Sequence, residues 1–392
     1  ADENTALGYG ALSSDTLGSK STALGRSALA TQNLSTATDS YNTAVGYFAG
    51  VSITTGVQNT LVGGEVGEGL QDADFNTAIG YLALRTDTLG SKSTAIGYAA
   101  LKDQNFTTAT DSFNVAVGHL AGENVTTGVQ NTLIGPEVAL SLTTGSLNVA
   151  IGRRALQNDQ QGSRNVGIGY NTLFAQQFTT ATTSYNTAVG FEAGSAVTTG
   201  THNTLLGALS GDNITNGYEN TTVGYNINAG GTGAVRQIGL GNNFTIGDNN
   251  QVRIGTSQGT ASLSLDGSDT SWAAASDERL KKDVADSTVG LSFVNALRPV
   301  TFKWNAKNAI ANTLPQYDAD SSDPVFGEGK AHHGFIAQEV KTVIDANSDV
   351  VDGHNIWLED SDGTQQVAPS ALIPMLVKAI QELSAEIEKL KS

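Results

Sequence analysis

The chain has 392 residues, a formal net charge of −17, 45 glycines, six prolines and no cysteine. A surface this acidic argues against nucleic acid as a partner, because phosphate binding needs basic side chains. The sequence holds no run of 18 apolar residues, so no membrane span is expected, and without cysteine there is no disulfide or thiolate metal site.

From the first residues onward, glycine keeps a fixed beat. Gly8, Gly25, Gly46, Gly63 and Gly80 are separated by 17, 21, 17 and 17 residues, and the cycle of 72 then repeats as far as Gly224. Self-similarity at a short period marks a stacked array rather than a globular enzyme. Each unit opens on the same string: NTALG at 4, YNTAVG at 41, FNTAIG at 75, FNVAVG at 113 and YNTAVG at 185. The residue before each of these glycines is aliphatic, and two positions earlier stands Thr or Val, as in Thr43 and Val45. Strand periodicity puts those two on one face, with Ala, or Leu at 61, 133 and 205, on the other. The Thr and aliphatic rows are expected to point inward. That orientation argues against ice binding, for which a flat threonine array must face water.

Asn opens eleven of the thirteen units, and Ser21 and Ser93 open the other two. Stacked rungs would bond these amides to one another in a ladder. A 17-residue rung offers only three or four apolar side chains, so a single coil buries little. A homotrimer sharing one axis would bury more. The 21-residue units insert four residues at 34–42, 106–114 and 178–186. These predict three equivalent surface loops, which are candidates for receptor contact on a rigid scaffold.

After Val223 the beat shortens to glycines at 239, 247 and 255, which reads as the end of a shaft spanning 1–255. GLGNNF is not a phosphate loop, since no helix or lysine follows it. A polar connector, 256–275, carries one strand-like stretch at Ala261–Leu265. A second domain, 276–392, opens with SDERLKKDV. LSFVNALRPVTFKW (291–304) predicts a helix, a break at Pro299 and a strand. HHGFIAQEVKTVID (332–345) predicts a strand feeding a helix, with the adjacent His332 and His333 diverging in structural roles. The acidic stretch 317–330 lacks the glycine and glutamate of a calcium loop, so no metal or cofactor is expected. The last 24 residues form a helix in which Ile373, Leu376, Ile380, Leu383, Ile387 and Leu390 make a heptad seam for a coiled coil.

The NTAVGxxA units resemble the head repeats of trimeric autotransporter adhesins and of phage tail fibres. SDERLKKDV, LRPVTFKWN, HHGFIAQEV and ALIPMLVKAIQEL resemble, in this order, the intramolecular chaperone domain of phage tailspikes, tail fibres and endosialidases. The fold class implied is mainly β: a trimeric β-solenoid shaft of 17- and 21-residue rungs, then a small α+β chaperone domain. The resemblance implies that this domain trimerises, folds the shaft and releases itself with a serine–lysine dyad, here Ser276 and Lys281. Local attack by the Ser276 hydroxyl favours cutting Ala275–Ser276. The implied partners are two further copies of the chain, a host-cell surface receptor (a glycan among the candidates) and the rest of a fibre. The implied location is a virion tail fibre, with a bacterial surface adhesin as the alternative.

Overall fold

A computed structural model describes residues 2–265, 273–274, 278, 281–314, 316–326, 329–350, 356–359 and 363–391. The chain divides into two compact units, Ala1–Ser276 and Asp277–Ser392.

The first unit is a β-solenoid built on one seventeen-stranded sheet. Its strands run parallel from Thr5–Leu7 to Gln251–Thr256, each pairing with the next coil. The sheet closes with two antiparallel strands, Gly259–Ser264 and Ala273–Ala274. One sequence unit is one coil, in strict register: Thr43 faces Thr60, Ala44 faces Leu61, and Val45 faces Val62.

The inside of the coil is the reverse of the expected one. Ala44, Leu61, Ala78 and Leu133 are fully buried, while Thr and the pre-glycine aliphatic residue on either side are partly exposed. The period-two alternation holds, but the Asn preceding each strand is also buried and shares the Ala face. Asn and Ala therefore point in, and Thr and Val point out. Space inside is narrow, which suits Ala. Where Leu61, Leu133 and Leu205 replace it, a glycine makes room: a Cβ on Gly50, Gly122 or Gly194 would lie 2.7, 2.6 and 2.6 Å from those leucine methyl groups. The outward Thr row is interrupted by Val115, Val149 and Val166, so it presents no uniform hydroxyl array.

The buried Asn side chains form the expected ladder. Asn131 Oδ1 accepts from the backbone N–H of Asn148 at 3.0 Å and from its side-chain amide at 3.2 Å. Asn131 Nδ2 donates to the Gly145 carbonyl at 3.0 Å. Both the backbone and the amide of each rung are thus satisfied without water.

Around each four-residue insertion a second network takes over. Gln104 Nε2 donates to Asp87 Oδ2 at 2.6 Å and to Ser93 Oγ at 2.9 Å, and Gln104 Oε1 accepts from Asn114. Asp87 Oδ1 accepts the Gly90 and Phe106 N–H groups. Asp159 and Gln176 repeat the arrangement one cycle on. Burial pushes both the Asp87 and the Asp159 carboxyls above the ordinary Asp value.

Nor does the beat stop at Gly224. Gly241 follows after 17 residues and Gly255 after 14, both with left-handed φ, and the parallel ladder continues through Thr221–Asn228, Ile238–Thr245 and Gln251–Thr256. The strands here lengthen to eight residues, so GLGNNF lies inside a strand. The glycines at 239 and 247 that suggested a shorter beat are not the rung glycines.

The second unit is a small α+β fold. Helix α1 is Leu291–Ala296, α2 is Ala337–Asp345 and α3 is Ile373–Lys391. Pro299 separates α1 from the strand Val300–Phe302, which pairs antiparallel with His332–Gly334. A second hairpin joins Trp357–Glu359 to Gln365–Val367. Val289, Phe293, Val340, Ile344, Leu372 and Met375 make the core. Glu382 of α3 accepts the Leu291 N–H at 2.7 Å, so one helix supplies the other's N-terminal acceptor.

Candidate functional site

The proposed cleavage site lies where the two units meet in the sequence. Ala275 and Ser276 fall outside the described residues. The last described strand before them is Ala273–Ala274. Beyond them the Lys281 N–H donates to the Glu278 carbonyl at 3.0 Å, and the Lys281 side chain is exposed. The strand–turn context of Lys281 is therefore on the page, but the serine–lysine geometry is not.

His332 and His333 do diverge. His332 packs among Phe302, Trp304 and Phe326, with Phe302 5.7 Å away, Trp304 edge-on to Phe326 at 4.9 Å, and Trp304 edge-on to Phe302 at 5.2 Å. Its Nε2 is buried without a hydrogen-bond partner among the described residues. His333 sits on the opposite face and is exposed. Arg298 and Glu339 pair nearby through two hydrogen bonds, one of 2.9 Å between Arg298 Nε and Glu339 Oε2. This pairing holds the Glu339 carboxyl below its ordinary value.

Helix α3 carries the heptad residues on an uncovered stripe. Ile373, Leu376, Ile380, Leu383, Ile387 and Leu390 are all exposed, with Ile380 at 66% and Leu390 at 87%. Met375 and Ala379, on the other side of the helix, pack into the unit's own core. A helix with one apolar face in the core and a second in solvent is unfinished as a monomer.

The solenoid has the same character on its outer sheet face. Beside the partly exposed Thr and aliphatic rows run two further rows of exposed side chains. One is the residue before each Asn, including Tyr41, Phe75, Phe113 and Tyr185, held in left-handed backbone at φ 49, 60, 50 and 51. The other is the residue after each rung glycine, including Tyr47, Tyr81, Tyr98 and Phe191. Within a chain these side chains stack along the coil: Tyr98 on His119 at 5.2 Å and Tyr170 on Phe191 at 5.4 Å.

The three insertions end in exposed tips at 35–37, 107–109 and 179–181. Each is anchored by a buried residue, Leu34, Phe106 or Phe178, and by a two-residue ladder to the coil before it, as Thr110–Asp111 pairs with Gly90–Ser91. Lys20 and Lys92 bridge two of them through Asp39 and Asp111, at 2.8 and 2.6 Å. Among the described residues no cluster of His, Asp and Glu is arranged to hold a metal, and no helix is long and apolar enough to cross a membrane.

Residues 276–349 match the family described as chaperone of endosialidase, a family of self-cleaving chaperone domains. No curated protein and no solved structure matches the chain. The chain therefore carries a chaperone-of-endosialidase domain at its C-terminal end, behind a β-solenoid of repeats.

Proposed function

We propose that the chain is the C-terminal part of a phage tail fibre or tailspike, a homotrimer whose last domain gathers three chains, guides the shaft into register and then cuts itself away. What carries this reading is where the family match begins. It starts at Ser276, two residues beyond the last strand of the solenoid sheet. A self-cleaving domain whose first residue is a serine needs no substrate pocket, because the scissile bond is its own attachment.

In this reading the Ser276 hydroxyl attacks the Ala275 carbonyl. Lys281 takes the hydroxyl proton and returns it to the departing Ser276 nitrogen. The ester so formed is hydrolysed by water, leaving a carboxylate on the shaft. A lysine serves as base only where burial or a cationic neighbour favours its neutral form. Lys281 is exposed in the single chain, so its cover must come from assembly. Cleavage then follows correct folding and makes it irreversible. The uncovered seam of α3 and the uncovered outer face of the solenoid support the trimer on which this depends. The three loop tips, repeated every 72 residues, are the candidates for receptor contact. Shortening all three by four residues should abolish binding to host cells while leaving the trimer intact.

Mass spectrometry of the expressed chain tests the chemistry. The expected products end at Ala275 and begin at Ser276. Ser276→Ala and Lys281→Ala should each leave a full-length, trimeric chain. A Lys281→Ala variant that cleaves at the wild-type rate would rule out the dyad.

A further inference from the structure

The outer face of the solenoid is too large and too apolar to be a monomer's surface. From the residue before Asn to the residue after glycine it is six residues wide, or about 20 Å, and the parallel ladder extends it to about 70 Å at strand spacing. Monomeric proteins rarely expose apolar patches beyond a few hundred Å². Three flat faces about 20 Å wide, closed around a three-fold axis, leave only about 6 Å from each backbone to the axis, a gap that Thr and Val side chains fill at ordinary sheet-packing distances. The edges of the faces must then meet at the corners. In a cyclic trimer the contact is heterologous, so the edge row before Asn on one chain meets the edge row after glycine on the next.

We infer that these two edge rows are complementary surfaces that pair rung for rung between chains and set the axial register of the trimer. The inference rests on the trimer reading above, and the sequence of each rung carries it. Where one edge is aromatic so is the other: Phe75 with Tyr81, and Tyr185 with Phe191. Where one edge is a cation the other is an aromatic ring: Lys92 with Tyr98, and Arg164 with Tyr170. Where the first edge carries a long polar side chain, the second is small: Gln58 with Gly64, and His202 with Ala208.

Each pair lies in a single rung, six residues apart, on opposite edges of one face. Its members do not touch within a chain, so folding of one chain alone gives no reason for them to match. The rung of Lys20 and Arg26 is the exception in charge. There Lys20 is neutralised by Asp39 at 2.8 Å, and Arg26 lies 5.6 Å from the centre of the Tyr47 ring. Axial slippage by one rung would oppose Gln58 to Tyr81 and Phe75 to Tyr98, and would set cations against small residues. The pattern therefore specifies one alignment among the many that a regular repeat allows.

The chain has no cysteine, which makes disulfide trapping direct. Gln130 and Pro136 form one such rung and both are exposed. About 20 Å separates them within a chain, well beyond the roughly 7 Å Cα limit for a disulfide. Oxidised full-length chain carrying Gln130→Cys with Pro136→Cys should run as a reducible covalent trimer on a denaturing gel, and either single variant should not crosslink. Phe75→Cys with Tyr81→Cys is the second pair, should Pro136 prove necessary for folding. A trimer by light scattering that fails to crosslink in both double variants, or that crosslinks through a single cysteine, overturns the row pairing and leaves the trimer standing. A folded monomer overturns the trimer reading itself.

Discussion

The rung glycines are the most stringent test of the solenoid. At Gly118 φ is +143°, a conformation that costs an L-residue about 1–3 kcal/mol. A Cβ there would stand 2.6 Å from the Gly135 carbonyl carbon, so the two coils would have to separate. Separation loosens the bonds from Gly118 N–H to the Ile96 carbonyl and from Gly135 N–H to the Val117 carbonyl, both 2.8 Å. Each contributes about 1 kcal/mol net. Together these put Gly118→Ala at about 3–5 kcal/mol of local destabilisation. In a stacked array the loss falls on neighbouring coils first, so hydrogen exchange is the right assay. At 1.4 kcal/mol per decade, amides of the flanking coils should exchange roughly a hundred- to a few-thousand-fold faster. Gly231 is the control: an added Cβ there meets nothing within 4 Å, and Gly231→Ala should be neutral within about 0.5 kcal/mol. If Gly118→Ala exchanges as slowly as Gly231→Ala, the coil geometry is wrong.

Further outcomes follow from the two faces and the buried acids. Leu133→Ala should destabilise the shaft by about 2–5 kcal/mol, because Leu133 is fully buried, whereas Val117→Ala, on the outer face, should chiefly weaken trimer association, as sedimentation at low concentration would register. Asn131→Asp replaces the amide that donates to the Gly145 carbonyl with an acceptor, and should lower the denaturation midpoint more than Asn131→Ala does. Asp87 and Asp159 have folded values raised above 3.8 by burial, so the folded shaft holds their protons more tightly than the unfolded chain does. Their contribution is fully present in acid and is lost as pH rises through the raised values. The exposed Asp39 and Glu137, shifted downward by their cations, oppose this only weakly. The unfolding midpoint should therefore fall with rising pH above 3.8, and Asp87→Asn with Asp159→Asn should flatten the profile; a midpoint that rises over the same window refutes the assignment.

The period of the solenoid was legible because close approach of backbones at every coil admits only glycine, as at Gly118 and Gly135. Which strand face points inward was not legible from Thr43 and Val45 alone. Alternation has two solutions, and the buried Asn42 decides between them by sharing the Ala44 face. The continuation through Gly241 was obscured because the strands there lengthen and extra glycines at 239 and 247 supply a false rhythm. The buried Asp87–Gln104 and Asp159–Gln176 pairs had a usable signal: each member recurs 72 residues on, in step with the insertions it supports. In the second unit Pro299 and the 3- and 4-residue apolar spacing located α1 and α3. The hairpin of Trp357–Glu359 and Gln365–Val367 was missed because three-residue strands carry too little alternation to read. Of the dyad, only Lys281 lies among the described residues, and the sequence motif alone places Ser276 beside it in the reaction.

Everything proposed for assembly and cleavage turns on how many chains make the particle. Sedimentation equilibrium of the Ser276→Ala chain, which keeps its C-terminal domain, measures that number directly. A single species of three times 40.4 kDa is the expected result. A stable, folded species of 40.4 kDa would contradict the shared axis, the edge pairing and the assembly-dependent cut together.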